Sequence, residues 1–191
     1  MRSHLCGQWF ISTTRFGPFV HASLRAGEEN SGHLVTLVRN QARMLAGREN
    51  LSLILSDGPP GIGCPVISSL SGVDLALLVT EPTASGLHDL ERLLELCHHF
   101  LVPALVCVNK YDLDEAQTGE IMAFCTRQGV EVAGRLPFDE AVTKALSHGV
   151  PLVEYTTGAT TGAVEALWRA VLRAFNGIRK GRLKGPGYGP S

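Results

Sequence analysis

The chain of 191 residues lacks a surplus of charge of either sign, because 17 Lys and Arg residues are balanced by 18 Asp and Glu residues. A dedicated nucleic-acid-binding protein carries a strongly basic surface, so this balance argues against that class and we expect no nucleic-acid partner. Hydrophobic residues make up 45% of the chain and charged residues only 18%. This composition excludes a mainly disordered chain and is sufficient for the core of one ordinary domain.

The chain also lacks paired cysteines and long apolar runs. No C-x-x-C spacing occurs among its five cysteines, which are Cys6, Cys64, Cys97, Cys107 and Cys125. Neither a disulfide framework nor a self-contained zinc site is therefore predicted, and we expect a reduced, cytoplasmic setting. The first residues lack the apolar segment of a signal peptide, and the longest apolar run, 101–108, is far shorter than the roughly 20 residues of a membrane span.

From residue 51 onward, apolar runs alternate with amphipathic stretches. The pattern predicts strands at 51–55, 73–80, 104–108 and 130–133, and helices at 85–99, from after the third strand to 128, at 140–147 and at 163–175. Strands that are apolar on both faces and are separated by helices are typical of a buried parallel sheet. We therefore predict an α/β fold, with a mostly parallel sheet in the middle of three layers and helices on both of its faces.

The two ends of the chain differ from this alternating region. Residues 8–24 predict two short strands or one bent strand, and residues 31–47 predict a helix with Ser31 as its N-cap and Gly47 as the residue that ends it. We predict an incomplete domain at 1–176 and a basic, disordered tail at 177–191. The last helix either covers the sheet, which we favour, or lies on a membrane surface.

Polar residues follow two of the predicted strands, where doubly wound folds bind their ligands. Asp57 follows the strand at 51–55, and a carboxylate there can hold Mg²⁺ beside the phosphates of a nucleotide, directly or through water. The turn Pro59-Pro60-Gly61 comes next, and its glycine N–H can point at a phosphate. The alternative is an Asp that caps an ordinary turn.

The string Asn109-Lys110-Tyr111-Asp112 follows the strand at 104–108. An Asn side-chain amide can bond both a donor and an acceptor on the edge of a purine. N-K-x-D is also the guanine-reading motif of GTPases. The position of the string after a buried strand therefore predicts a purine-binding loop.

Several segments together resemble the MinD/ParA-type P-loop ATPases, namely D-G-P-P-G-I-G-C-P-V, V-T-E-P-T, V-N-K-Y-D-L and G-R-L-P-F-D. W-F-I-S-T-T-R-F-G-P, G-E-E-N-S-G-H-L-V-T-L-V-R and T-E-P-T-A-S-G-L-H-D-L resemble the branch of that superfamily with an inserted ferredoxin domain. The match spans residues 9–154 in the order of the family. It implies a homodimer that binds ATP and Mg²⁺ and works with iron–sulfur or redox client proteins.

The resemblance also implies roles for individual residues. Asp57 would be the acid near Mg²⁺, and Pro59, Pro60 and Gly61 would form switch II. Asn109 would contact the adenine, with Lys110 and Asp112 in the same loop. Pro137 and Phe138 would lie beside the base, and residues 80–83 would lie near the dimer face.

Cys64 lies seven residues after Asp57. The related nitrogenase iron protein has a cluster-ligating cysteine at this offset, which implies a [4Fe-4S] ligand at a two-fold interface. The alternative is a buried cysteine that packs as a small hydrophobic residue. We expect Cys107 and Cys125 to be core residues of this second kind.

The phosphate-binding part of the family pattern is absent. The loop K-G-G-x-G-K-[ST] does not occur, and the glycine-rich stretch 157–162 contains no lysine. The four-cysteine ferredoxin insert is also absent. We interpret the chain as the C-terminal part of a longer protein and predict no measurable ATP hydrolysis by it alone. Losing the strand that leads into the missing loop predicts a gap beside the strand at 51–55, or a compensating strand from residues 8–24.

Three functions follow from these observations. The first is part of a MinD-type ATP-dependent switch linked to iron–sulfur or electron-carrier work. The second is a dimerisation or interaction domain that keeps the fold without catalysis. The third is a GTPase, which is disfavoured because D-x-x-G would require glycine at position 60, where the chain has proline.

Overall fold

The computed structural model describes residues 7–24 and 31–181. The chain divides into two compact units, Met1–Ser71 and Gly72–Ser191, and the predicted domain limits of 1–176 stay a prediction. Each unit has its own sheet and its own buried side chains.

The N-terminal unit contains a β-hairpin. Strand β1 (Gly7–Thr14) pairs antiparallel with β2 (Gly17–Leu24), in a register that runs from Gly7↔Leu24 to Thr14↔Gly17. Gly17 has a φ of 127° at the turn, a conformation that residues with a side chain rarely adopt. Two strands, and not one bent strand, are therefore formed by residues 8–24.

Helix α1 (Ser31–Glu49) begins where the sequence predicts and packs against β2 and against the short helix α2 (Cys64–Leu70). The prediction that Gly47 ends α1 is wrong, because the helix continues for two further residues. Asn50 instead adopts the left-handed conformation, with a φ of 55°, and the N–H of Leu51 bonds the carbonyl of Ala46 at 2.9 Å. Asn is the residue besides Gly that most readily ends a helix in this way.

The predicted strand at 51–55 is wrong. Residues 51–63 form neither helix nor regular strand, and the side chains of Leu51, Leu53, Ile54 and Leu55 are exposed. A strand is stabilised by hydrogen bonds to a neighbouring strand, and no described strand pairs with these residues. The hairpin pairs only with itself among the described residues, so it does not provide the compensating strand.

The C-terminal unit is built on a parallel sheet. Its strands, in the order β3-β4-β5, are β3 (Ala76–Thr80), β4 (Ala104–Asn109) and β5 (Glu131–Leu136). The central strand β4 carries the core, because Leu105, Val106, Cys107 and Val108 are all buried. The sequence locates all three strands, although β3 begins three residues later than predicted and β5 extends three residues further.

Helices flank this sheet, which confirms the predicted α/β fold. They are α3 (Ala84–His99), α4 (Glu115–Gln128), α5 (Glu140–Ser147), α6 (Leu152–Tyr155) and α7 (Ala159–Arg179). Side chains cap two of these helices, since Thr83 accepts the N–H of Gly86 and Asp114 accepts the N–H of Gln117, both at 2.9 Å. The bounds of α5 are those predicted, whereas the four-residue α6 has no counterpart in the prediction.

Helix α7 packs on β5, which confirms the favoured interpretation that it covers the sheet. A Cβ atom at Gly134 would lie 3.1 Å from the Leu167 side chain, so the glycine allows this close approach. The helix reaches Arg179, three residues into the predicted tail, and residues 182–191 lie outside the described part, so the tail remains a prediction. Within the described ranges no helix is long and apolar enough to cross a membrane.

Candidate functional site

The loops that follow β3, β4 and β5 lie at one edge of the parallel sheet, where the carboxyl ends of the strands meet. Five of the residues singled out in the sequence are on the second and third of these loops or at the strand end, namely Asn109, Lys110, Asp112, Pro137 and Phe138. The C-terminal unit therefore brings the predicted base-binding residues to a common edge, and their contacts show how they are held.

Asn109 is the last residue of β4 and lies opposite Leu136 in the register with β5. Its side chain is half-buried. In the part of the chain that the structure describes, the side-chain amide makes no hydrogen bond. Its donor and its acceptor are therefore both available to a ligand, such as the edge of a purine.

Lys110 occupies the left-handed region, with φ 53° and ψ 41°. This conformation is uncommon for a residue with a side chain and turns the backbone sharply away from β4. The ammonium of Lys110 lies 2.7 Å from a carboxylate oxygen of Glu81, on the loop after β3. The pair is partly exposed and so adds little stability, about 0–1 kcal/mol, but it joins the first two loops.

Asp112 joins the second loop to the third. Its Oδ1 accepts the backbone N–H of Phe138 at 2.7 Å, although the two residues are 26 positions apart. The neighbouring Tyr111 supports this arrangement, because its ring lies 5.0 Å from the guanidinium of Arg135 and its carbonyl accepts the Thr118 hydroxyl at 2.7 Å. The loop that carries Phe138 is thus fixed from the β4 side.

Asp139 fixes the same loop from the other side. Its carboxylate accepts the hydroxyl of Thr160 at 2.6 Å and the N–H of Ala141 at 2.8 Å, which caps α5. These two hydrogen bonds, the one from Thr160 first, hold the pKa of Asp139 below its ordinary value of 3.8. Phe138 lies between the two fixed points, with half of its surface (52%) exposed.

The glycine-rich stretch 157–162 does not form a phosphate cradle. Gly158 is the N-cap of α7, and the hydroxyls of Thr160 and Thr161 are buried and bond Asp139 and the carbonyl of Thr156. The stretch is therefore the start of a helix, and its two threonine hydroxyls are bonded within the unit.

The remaining predicted site residues lie in the N-terminal unit. Asp57 is exposed and does not follow a strand, because the predicted strand before it is not formed. Pro59, Pro60 and Gly61 follow it, and Gly61 has a φ of 83°, which favours glycine at this turn. In the described ranges no cluster of three His, Cys, Asp or Glu residues is placed to hold a metal ion.

Cys64 is the first residue of α2 and is exposed, so the interpretation of this residue as a buried small side chain is wrong. Cys107 and Cys125 are buried core residues, as predicted, and Cys97 is buried as well. Burial raises the pKa of the Cys97 and Cys107 thiols to about 11. Among the described cysteines, only Cys64 has a thiol that is accessible to ligands or reagents.

The residues at this edge of the sheet suit the base of a nucleotide but not its phosphates. The amide of Asn109 and the exposed ring of Phe138 suit a purine base, because one offers hydrogen bonds and the other offers a stacking face. The phosphates and Mg²⁺ are not matched, since the glycine-rich stretch has no lysine and its hydroxyls are engaged, while Asp57 lies on an exposed segment.

Sequence reasoning missed the contacts that order the three loops. For Glu81 the resemblance implies only a position near the dimer face, and no sequence pattern singles out Asp139 or Thr160. The signal for Glu81 was present, because an acid directly after a strand lies at the same sheet edge as a lysine directly after the neighbouring strand. Nothing in the spacing pointed to Thr160, which is 21 residues from Asp139.

Known proteins resemble this chain in sequence and in fold. It is 31% identical over 137 residues to the uncharacterized protein MJ0578 of Methanocaldococcus jannaschii, covering 72% of this chain and 45% of that protein. It is 27% identical over 147 residues to the cytosolic Fe-S cluster assembly factor Nubp1 homolog of Drosophila yakuba, covering 66% of this chain and 47% of that protein. The chain thus spans about half the length of these relatives, and no family model matches it.

Among solved structures, the septum site-determining protein MinD of Pyrococcus horikoshii, complexed with Mg-ADP, has a similar fold. The TM-score is 0.59 at 22% identity, over 73% of this chain and 56% of that chain. The parallel order of β3, β4 and β5 and the polar loops at their carboxyl edge agree with this fold. In sequence and in fold, the chain therefore resembles the MinD/ParA-like superfamily of P-loop ATPases.

Proposed function

We propose that this chain is the base-binding part of a MinD-type ATP-binding protein. In this proposal ATP and Mg²⁺ are bound only when a phosphate-binding loop from outside this chain completes the site. The observation that carries the proposal is the unbonded Asn109 amide beside the fixed loop of Phe138, at the ligand-binding edge of the sheet. With the missing loop, the protein would act as an ATP-dependent switch or ATPase, with Asp57 near Mg²⁺ and residues 59–61 as switch II.

The wider role that we propose is iron–sulfur or electron-carrier work in the cytoplasm, by a homodimer. Two observations support it. A relative at 27% identity is an Fe-S cluster assembly factor, and Cys64 presents an exposed thiol at the start of α2. In this proposal the two Cys64 thiols of a dimer would supply two of the four thiolate ligands that a [4Fe-4S] cluster takes, and the cluster would pass to a client protein.

A second candidate function is an interaction domain that has lost nucleotide handling. It is favoured by one observation, the absence of a phosphate cradle from residues 157–162. The two candidates differ in whether the chain responds to a nucleoside. A GTPase remains the weaker alternative, and it would differ from both by preferring guanosine.

Titration of the ¹⁵N-labelled chain with adenosine, AMP and ATP, followed by backbone amide shifts, separates these functions. We expect adenosine to shift amides near Asn109 and Phe138, with a dissociation constant of about 1 mM or weaker, which corresponds to about −4 kcal/mol. The phosphates of AMP and ATP should add no affinity, because the chain lacks their cradle.

Asn109→Ala should abolish these shifts, whereas Asn176→Ala, at an exposed position on α7, should leave them unchanged. No shift with any nucleoside would favour the interaction domain. Robust ATP hydrolysis by the purified chain would overturn the claim that the missing loop is indispensable.

A further inference from the structure

The charged residues of the N-K-Y-D motif both point at neighbouring loops. A carboxylate that reads guanine would have to face the two adjacent donors of that base, its N1–H and N2–H₂, with both oxygens. In this chain Oδ1 of Asp112 is bonded at 2.7 Å to the N–H of Phe138, and the ammonium of Lys110 is directed to Glu81. The motif resembles a guanine reader in its letters but not in its contacts.

We propose that Asp112 is a positioning residue, which acts on a bound base only through Phe138 and does not itself read the base. The proposal rests on the base-binding function above and adds a specificity to it. Asn109 is then the base-reading group of the motif, and its amide offers one donor and one acceptor side by side, as the amino group and ring nitrogen of adenine require.

The exposure of Phe138 explains why its loop needs the hydrogen bond to Asp112. Phe138 is half exposed, so packing alone does little to fix its ring. Its backbone is held by Asp112 on one side, and the next residue is held by Thr160 and Ala141 on the other. Removing Asp112 would leave one side of the loop without its hydrogen bond, because no other described group accepts the Phe138 N–H.

The test compares Asp112→Ala and Asp112→Asn in the full chain, with Asp89→Asn as the control, since Asp89 is an exposed carboxylate on α3. Amide hydrogen exchange at Phe138 is the first measurement. We expect Asp112→Ala to speed exchange at least tenfold and Asp112→Asn to recover part of the protection, because its amide oxygen still accepts a hydrogen bond. Circular dichroism checks that each variant is folded.

The second measurement is titration with adenosine and with guanosine. Asp112→Ala should weaken both nucleosides by the same factor, and Asp112→Asn should recover part of that loss. A selective loss of guanosine binding would show that Asp112 reads the base and would overturn the proposal, as would unchanged exchange at Phe138. If the unmodified chain binds neither nucleoside, the proposed function fails, and the exchange at Phe138 alone decides whether Asp112 holds the loop.

Discussion

Two short apolar segments of this chain look alike in sequence and differ in structure. Leu51–Leu55 and Ala104–Asn109 are both rich in aliphatic residues, and each is followed by a polar motif. The second is the buried central strand β4, whereas the first is an exposed stretch in which Leu55 retains 79% of its surface. The difference is that β4 has a strand on each side and 51–55 has none among the described residues.

The comparison extends to the polar residues that follow each segment. After β4, Lys110 and Asp112 bond residues of the neighbouring loops, because β3 and β5 end at the same edge as β4. Asp57 follows an unpaired segment and is exposed. Paired strands hold the loops that follow them in place. A polar residue on such a loop is therefore positioned for a ligand, whereas one after an unpaired segment is not.

The largest effect should come from the buried member of a matched pair of leucines. Leu105→Ala should lower the free energy of unfolding by about 2–5 kcal/mol, because it leaves a cavity beside β4. Leu55→Ala should change it by less than about 0.5 kcal/mol, because the side chain is already in solvent. Urea unfolding of single-tryptophan variants measures both, with Trp168 reporting the C-terminal unit and Trp9 the N-terminal unit.

A large loss of stability in Leu55→Ala would contradict the difference between the two segments. It would mean that residues 51–55 are packed in the native protein, as they would be if a strand from another segment or chain covered them.

A smaller effect on stability is expected for two glycines. Gly86 comes after the paired strand β3, and Gly58 comes after the unpaired residues 51–55. A Cβ atom at Gly86 would overlap the carbonyl oxygen of Glu81, where the loop after β3 meets the start of α3. Gly86→Ala should therefore cost about 1–3 kcal/mol of stability. Gly58→Ala should cost little, since a Cβ there would meet only the Ser69 hydroxyl at 3.9 Å.

Thermal unfolding of the two glycine variants checks this contrast. The melting temperature should fall for Gly86→Ala and stay within a degree or two for Gly58→Ala. Equal melting temperatures would show that the loop after β3 has room to move, and the ordered site edge would lose its support.

The last contrast concerns chemical reactivity and not stability, and it compares two cysteines. Cys64, just after the unpaired segment, is exposed, whereas Cys107 in β4 is buried and its pKa is raised to about 11. A thiol reagent at pH 8 should label Cys64 within minutes, because the thiolate is the reactive form and burial suppresses it at Cys107.

Comparison with two serine variants isolates each thiol. Cys64→Ser should remove one rapidly labelled thiol from the native protein, while Cys107→Ser should leave the rapid phase unchanged. The opposite result would contradict the assignment of β4 as the buried strand.

Much of the C-terminal unit could be predicted from the sequence because its signals are local. Apolar runs identified β3, β4 and β5, and the limits of α5 were predicted to the residue. The edge on which Asn109 and Phe138 meet also followed, since the carboxyl ends of parallel strands lie together. The pairing of Lys110 with Glu81 and of Asp139 with Thr160 could not be predicted, because spacing along the chain does not determine which loop ends touch.

The residue order alone predicted the resemblance to the MinD/ParA superfamily, the alternation of strands and helices in the C-terminal unit, and the lack of the K-G-G-x-G-K-[ST] motif. Those features depend on residue order and on local patterns. Only the tertiary structure decided that 51–55 is not a strand, that Cys64 is exposed and that Asp112 bonds the backbone of Phe138. Each of these features depends on which distant part of the chain packs against or bonds the residue. The residue order of a short apolar segment does not specify that distant part.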